Sequence, residues 1–327
     1  MNIGLIGYGK VAKAFIRLLK EKAIECNIKF ILKSDGCVFD EMGLDLDSVI
    51  NFEDNIKEHE AWKEGMTFRY IIDEEIDYLV ELTPTNIETG EPALSYIQEA
   101  LSRGINVITG NKGPIAKDYK NLKAIADINR VFLGIGCTTG AALPSITGGV
   151  YDCAGSEIKS VEGILNGTSN YILTSMSKGE KTYKEALEEA IELGIAEKDF
   201  SLDVEGYDTA LKMVIICNAL MGTEIKLKDV QIKGIEDISI DEIKEVNSQG
   251  KKIKLIGKTI SEEEEIRIKV GPEVVDETSA LFSVDNKNKG VHYITDTLGD
   301  MVFIGGESSV KNAAASILRD ILINERK

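Results

Sequence analysis

A lysine and an aspartate one helical turn apart, in an otherwise apolar stretch, are the residues of this chain best suited to moving a proton. Asp208 and Lys212 stand four apart in Tyr207-Asp-Thr-Ala-Leu-Lys-Met-Val-Ile-Ile-Cys217, so on a helix they share a face. A helix apolar on nearly all sides is buried, and a buried lysine is costly unless paired or employed. Lys212 is therefore the candidate proton carrier, with a purely structural Asp208–Lys212 ion pair as the alternative. Carboxylates crowd just before this helix, at Glu197, Asp199, Asp203 and Glu205, where the helix dipole favours negative charge. The histidines, His59 and His292, lie in polar surroundings that read as exposed. Proton transfer then falls to Lys, Asp, Glu, Tyr or Cys.

A second chemistry is written at the N-terminus. Asn2-Ile-Gly-Leu-Ile-Gly-Tyr-Gly-Lys-Val-Ala12 reads as strand, turn and helix start. Gly7-x-Gly9-x-x-Ala12 fits the dinucleotide fingerprint, with Ala in the third place. Gly7 permits the tight turn, Gly9 leaves room for a pyrophosphate, and the free N–H groups that begin at Lys10 and Val11 supply positive dipole. A tight turn without a ligand is the plainer alternative. The second strand ends Ile31-Leu32-Lys33-Ser34-Asp35. Lys33 there could meet a 2′-phosphate, which points to NADP, while Asp35 leaves NAD open and an ordinary exposed lysine is the alternative.

Ligands of open α/β sheets sit at the carboxyl ends of strands. Leu82-Thr83-Pro84-Thr85-Asn86 and Gly110-Asn111-Lys112-Gly113-Pro114 fall there. Thr83 and Asn86 offer hydrogen-bond groups for the nicotinamide side. Lys112 could neutralise a substrate carboxylate or hold the cofactor, or be turn chemistry with a solvated lysine. Asn166-Gly167-Thr168-Ser169 joins a strand to a helix, as a polar pocket edge or as a plain N-cap.

The elements that must position these groups alternate. Strands are expected at Asn2–Ile6, Ile28–Leu32, Tyr78–Leu82, Ile105–Thr109 and Val131–Ile135, with helices near 10–22, 91–103 and 114–129. That rhythm implies an α/β class with a doubly wound parallel sheet of Rossmann type. The stretch 34–67 is an excursion over the sheet edge carrying a helix near 47–60. From about Cys137 the rhythm changes to an α+β pattern: a strand at Ile158–Leu165, helices near 168–178, 183–193 and 206–221, and strands around 229–235, 252–260 and 265–271. A polar loop at 284–290 precedes the strand Met301–Ile304, and a last helix spans Val310–Ile323. Thr182 and Glu185 have capping-box spacing. The expected division is a dinucleotide-binding domain over 1–135, completed by 300–327, and a second domain over 136–299.

Composition narrows the partners. Asp+Glu exceed Lys+Arg by 55 to 38, and an acidic surface repels phosphate backbones and anionic lipid, so nucleic acid and membrane are set aside. No apolar stretch approaches the ~20 residues of a membrane span. Cys26, Cys37, Cys137, Cys153 and Cys217 form no CxxC pair, which fits a reducing compartment, and no signal peptide is read at the N-terminus; the cytoplasm is the expectation.

Taken together, GYGKVA, ELTPTN with NIETGEPAL, NKGP, GILNGTSNYILT, LGIAEKDFSLDVEGYDTALKM, IKLIG and TDTLGD resemble homoserine dehydrogenase, in the order of that family and over essentially the whole chain. The length resembles the short form that lacks a C-terminal ligand-sensing domain. The resemblance implies an oxidoreductase of threonine and methionine biosynthesis, transferring hydride reversibly between nicotinamide and the C4 carbon of L-homoserine or L-aspartate 4-semialdehyde. It implies Lys212 as the acid–base residue, assisted by Lys112, with Glu197, Asp203 and Asp208 fixing the substrate and Gly167 and Thr168 lining its pocket. It also implies a homodimer formed through the second domain. Three departures stand out. Gly136 occupies the place of a glutamate that commonly ligates a monovalent cation, which leaves the carbonyls of Thr139, Ala141 and Leu143 as ligands and weakens the expectation of a cation. Gly305-Gly306-Glu307-Ser308 lacks the usual proline and later glycines. Lys33 replaces the more usual acidic strand end.

Overall fold

The computed structural model describes every residue except Glu180, Glu197, Lys198, Glu263, Glu264 and Lys327. The chain forms two compact units, Met1–Ala141 with Ser309–Lys327, and Ala142–Ser308.

Unit 1 begins β1 (Asn2–Ile6), α1 (Lys10–Glu21), β2 (Asn27–Lys33), β3 (Gly36–Leu44), α2 (Leu46–Asn51), β4 (Trp62–Glu64) and α3 (Phe68–Ile71). It continues β5 (Tyr78–Glu81), α4 (Ala93–Ser102), β6 (Asn106–Thr109), α5 (Lys112–Asn129), β7 (Leu133–Gly134) and α6 (Cys137–Gly140). The sheet order is β4-β3-β2-β1-β5-β6-β7, parallel from β2 through β7, as the alternation of strands and helices predicts. Its far edge is not parallel. Lys33 pairs with Gly36, so Ser34 and Asp35 make a tight hairpin, and β3 and β4 extend the sheet antiparallel. The helix expected near 47–60 is only α2, capped by Asp45, before a 3-10 turn at Ile56–Glu58. The strand was hidden because Cys37, Val38 and Phe39 are all buried and show no period-two alternation.

Unit 2 holds β8 (Ile158–Ile164), α7 (Gly167–Gly179), α8 (Tyr183–Glu192), α9 (Ser201–Val204), α10 (Tyr207–Leu220), β9 (Gln231–Ile232) and α11 (Ile240–Ser248). It ends with β10 (Lys252–Glu262), β11 (Glu265–Val275), β12 (Lys289–Thr295) and β13 (Asp300–Gly305). The sheet order is β13-β12-β8-β10-β11-β9. The β10–β11 hairpin runs in register from Lys252 opposite Val275 to Glu262 opposite Glu265. Gly257 lets α10 lie close on the sheet, since a Cβ there would stand 2.5 Å from Met213 Cγ. The chain then returns to unit 1 through α12 (Val310–Glu325), whose Ala314, Ile317 and Ile321 share a core with Ile3, Leu5, Phe15, Leu19 and Ile108.

Three expectations are corrected here. Strand β13 pairs with β12 and belongs to unit 2, so the return to unit 1 begins at Ser309 rather than 300, and the first boundary falls after Ala141 rather than 135. The polar segment read as a loop over 284–290 runs into β12, which sits between β13 and β8; its buried Lys289 and His292 disguise an interior strand. Neither histidine is exposed: His59 and His292 retain 6% and 7% of their surface. His59 Nε2 meets Ser48 Oγ at 2.9 Å and its Nδ1 accepts from the Ala61 N–H, while His292 Nδ1 meets Glu162 Oε1 at 2.9 Å. Side-chain and backbone partners replace water at both nitrogens of His59 and at Nδ1 of His292.

Asp320 on α12 accepts a hydrogen bond from Gly136 N at 2.8 Å, and its other oxygen is buried without a partner. Burial pushes its carboxyl from 3.8 up to about 6, against the pull of that N–H. A folded-state pKa above the unfolded one means the group's contribution is full below roughly pH 4 and is lost as pH rises through about 6. Against an Asp320→Asn variant, which cannot titrate, the parent chain should lose about 3 kcal/mol between roughly pH 4 and 7. Denaturant midpoints of both proteins across that range measure it, and a gap that does not change with pH would refute the assignment.

Candidate active site

The turn after β1 contains two glycines with different reasons to be glycine. Gly7 has φ +86° and its N–H donates to Leu32 O at 2.9 Å. A Cβ there would lie 2.5 Å from Leu82 O, so the fold itself forbids a side chain. Gly9 is extended, at φ −88° and ψ −169°, and caps α1 without a side-chain bond. A Cβ on Gly9 would meet nothing within 4 Å. No packing demands glycine at this place. An open, uncapped helix start, with Lys10 exposed and Val11 half-buried, fits a pyrophosphate laid against the first N–H groups of α1.

Lys33 closes β2 half-buried. Asp35, in the hairpin beyond it, is ion-paired with Lys57, whose ammonium holds its carboxyl below the usual range. At the ends of the next strands, Asn111 caps α5 by accepting from Gly113 N at 3.1 Å. Lys112 is therefore the first residue of that helix and half-buried. Asn86 spends its carbonyl oxygen on its own turn, accepting from Glu88 N and Thr89 N at 3.1 Å each. Thr83 is held by Glu81, a buried carboxylate that sequence reasoning passed over; its only signal was an acidic residue ending an apolar strand.

In unit 2, α10 begins at Gly206, whose φ of +89° turns the chain sharply into the helix. The helix buries Asp208 to Leu211 and Met213 to Cys217, so Lys212 is carried inward with its face. The Lys212 side chain keeps 13% of its surface and that of Asp208 10%. Lys212 Nζ donates to Asp208 Oδ2 at 2.5 Å and to Leu165 O at 2.9 Å. Asn166, in the β8–α7 turn, joins the acids: its Nδ2 donates to Asp208 Oδ2 at 2.9 Å and to Asp203 Oδ1 at 2.6 Å. Ser169 N donates to Asn166 Oδ1 at 2.9 Å, which fixes the amide's orientation. Burial raises the Asp203 carboxyl, the Asp208 charge adds to it, and Thr168, Asn166 and Lys212 oppose. Thr168 Oγ1 also bonds Ile195 O at 3.3 Å, and Gly167 lies where a Cβ would approach Lys287 O to 3.1 Å.

The structure thus gathers Lys212, Asp208, Asp203, Gly167 and Thr168 in unit 2, and Gly7, Gly9, Lys10, Val11, Lys33, Thr83 and Lys112 in unit 1. Glu197 lies outside the described residues. Asn166 escapes a reading of the sequence because Asn-Gly after a strand has the signature of turn chemistry. Of the carbonyl ligands proposed for a cation, Thr139 and Ala141 belong to unit 1 and Leu143 to unit 2. Leu143 O accepts from Ser145 N at 2.8 Å, and the Asp320 carboxylate fills the space beside Gly136. Among the described residues no helix is long and apolar enough to cross a membrane.

Comparison with known proteins gives the family. The family model for the homoserine dehydrogenase NAD binding domain matches residues 7–132, and that for homoserine dehydrogenase matches 144–322. The homoserine dehydrogenase of Methanocaldococcus jannaschii is 36% identical, over 98% of this chain and 98% of its own. The NAD(+)-dependent homoserine dehydrogenase of Pseudomonas canavaninivorans is 33% identical, over 98% of this chain and 95% of its own. The crystal structure of S. aureus homoserine dehydrogenase at pH 8.5 superposes with a TM-score of 0.78 at 30% identity, over all of this chain and 76% of that one. That of Thermoplasma acidophilum shares the fold, with a TM-score of 0.83 at 23% identity over 100% and 99% of the two chains. A lysine buried among acids in one unit, a glycine turn between strand and helix in the other, and family and relative matches over nearly the whole length place this chain in the homoserine dehydrogenase family.

Proposed function

We propose that the chain moves hydride reversibly between C4 of L-homoserine and a nicotinamide cofactor, with Lys212 as the proton carrier for the C4 oxygen. The observation that carries this reading is the Lys212 ammonium, buried and held by Asp208 and the Leu165 carbonyl. Those bonds fix its direction and leave an N–H for a ligand oxygen. When aldehyde is reduced, Lys212 donates a proton to the oxygen as hydride reaches C4; when alcohol is oxidised, the free amine takes that proton back. The bound nicotinamide supplies or accepts the hydride. Asp203 and Asp208, with Glu197, fix the substrate's ammonium and hydroxyl by charge-assisted hydrogen bonds. Gly167 and Thr168 line its pocket, and Lys112 assists at the reacting or cofactor end. Gly7, Gly9, Lys10 and Val11 seat the pyrophosphate and Thr83 the nicotinamide side. NADP is favoured over NAD, because Lys33 stands at the strand end while Asp35, the acid that would grip a ribose hydroxyl, is engaged by Lys57.

Purified protein given L-aspartate 4-semialdehyde should oxidise NADPH with a lower KM than NADH, and Lys212→Ala should lose about a thousandfold in kcat while still binding cofactor. A variant with near-normal turnover would remove Lys212 from the chemistry, and a lower KM for NADH would reverse the cofactor choice. Asn166→Ala removes the donor shared by Asp203 and Asp208, and the loss of that hydrogen bond lets Asp203 hold its proton more tightly. The acid limb of the kcat/KM profile for homoserine should move to higher pH, with at least about a tenfold loss near neutrality. An unmoved limb would show that the amide does not set that ionisation. Gly9→Asp keeps a good helix cap but places an anion where the pyrophosphate would lie. Melting temperature should hold while the NADPH dissociation constant rises about tenfold or more; unchanged binding would empty the turn of its role.

A further inference from the structure

Glu81 ends β5 with none of its surface exposed. Burying a carboxylate is expensive unless hydrogen bonds replace its water. Its Oε1 accepts from Thr83 N at 2.7 Å and from Thr83 Oγ1 at 2.5 Å, and its Oε2 from Thr109 Oγ1 at 2.8 Å. Burial pushes its carboxyl up, while Thr83, Thr109 and Asn111 pull it back. Every one of these partners lies at the carboxyl end of β5 or of its parallel neighbour β6.

The bonds continue outward. Thr109 Oγ1 accepts from Asn111 N at 2.9 Å, and Asn111 Nδ2 reaches back to Thr83 O at 3.2 Å and Thr83 Oγ1 at 3.3 Å. Asn111 Oδ1 caps α5 through Gly113 N. Lys112 is thus fixed at both of its backbone neighbours by one network centred on Glu81. The same network abuts the phosphate turn, since a Cβ on Gly7 would lie 2.9 Å from Thr83 N. An apolar side chain at position 81 would leave the Thr83 N–H and both threonine hydroxyls without this acceptor. A fold that needed only packing here has cheaper solutions, such as an aliphatic residue among aliphatic neighbours.

We propose that Glu81 is a positioning residue of the reaction: its buried carboxylate ties the ends of β5 and β6 together and so sets where Thr83 and Lys112 stand. This rests on reading Thr83 and Lys112 as cofactor-side residues. Glu81→Gln keeps the shape but replaces one acceptor oxygen by a donor facing Thr109. The fluorescence of bound NADPH should report a dissociation constant raised about tenfold or more, and kcat should fall about tenfold or more. Because the loss passes through Lys112, adding Glu81→Gln to a Lys112→Ala chain should cost less than about threefold further in kcat. A Glu81→Gln protein that melts lower but keeps parental kcat and NADPH binding overturns the proposal, as do losses that multiply in the double variant. If Glu81→Gln does not fold, Glu81→Asp keeps the charge, withdraws it by one methylene and is judged by the same two readouts. NADPH binding is read without an amino-acid substrate, so failure of the parent chain on homoserine would count against the reaction and leave the binding arm of this test, which by itself can overturn the proposal, intact.

Discussion

The arrangement of unit 2 depends on holding a charged lysine inside an apolar helix. A free ammonium buried to this degree would be neutralised or would unfold its surroundings. Here Asp208, one turn away on the same face, supplies the opposite charge, and the Leu165 carbonyl supplies a second acceptor. Those two demands propagate. Leu165 must leave its strand at the right height, which places the Asn166-Gly167-Thr168 turn beside α10. Asn166 must then face Asp208, and Asp203 comes with it through the shared amide. Asp203 and Asp208 are thereby arranged as consequences of seating one lysine.

Much of this was legible in the chain. The glycine turn, the alternation of strands and helices, the Thr182–Glu185 capping box and the four-residue spacing of Asp208 and Lys212 are local signals, and each is where local physics puts it. What escaped is non-local. Strand β12 carries Lys289 and His292 into the interior, and only its neighbours β8 and β13 make those side chains tolerable. Asn166 and Glu81 look like turn and strand-end residues until the partners that satisfy them, remote in sequence, are brought alongside. Helix α11 is a different kind of miss: Ser239 and Glu242 form a capping box, and the signal was present at the same spacing as the one that was read.

Both units bury charge by supplying hydrogen bonds rather than by avoiding it. Lys254 is almost fully buried, and its ammonium donates to Asn170 Oδ1 at 3.3 Å, Val284 O at 2.5 Å and Asp285 Oδ1 at 2.8 Å. Burial pushes Asp285 up, yet Lys254, Lys178 and Lys252 outweigh it and hold its carboxyl well below the usual range. These bonds fasten the segment before β12 to α7 and β10. In unit 1, Glu81 uses hydroxyls and an N–H in place of a cation. A salt bridge would fix a charge; a set of loop donors fixes the loops that provide them.

The place beside Gly136 shows how such a buried group constrains a neighbour. The family resemblance puts a glutamate at this position, and its absence first reads as the loss of a ligand. The structure gives a steric reason. A Cβ on Gly136 would stand 2.7 Å from Asp320 Oδ1 and 3.0 Å from Oδ2, so the carboxylate would have to give way. Asp320 also takes the Gly136 N–H, so any larger residue would have to displace the acceptor that its own backbone uses. A glutamate would add a second carboxylate beside one already short of partners, and like charges at such a point cannot both stay ionised. Glycine at 136 and aspartate at 320 are thus coupled: the carboxylate that accepts the Gly136 N–H also occupies the space a side chain at 136 would enter.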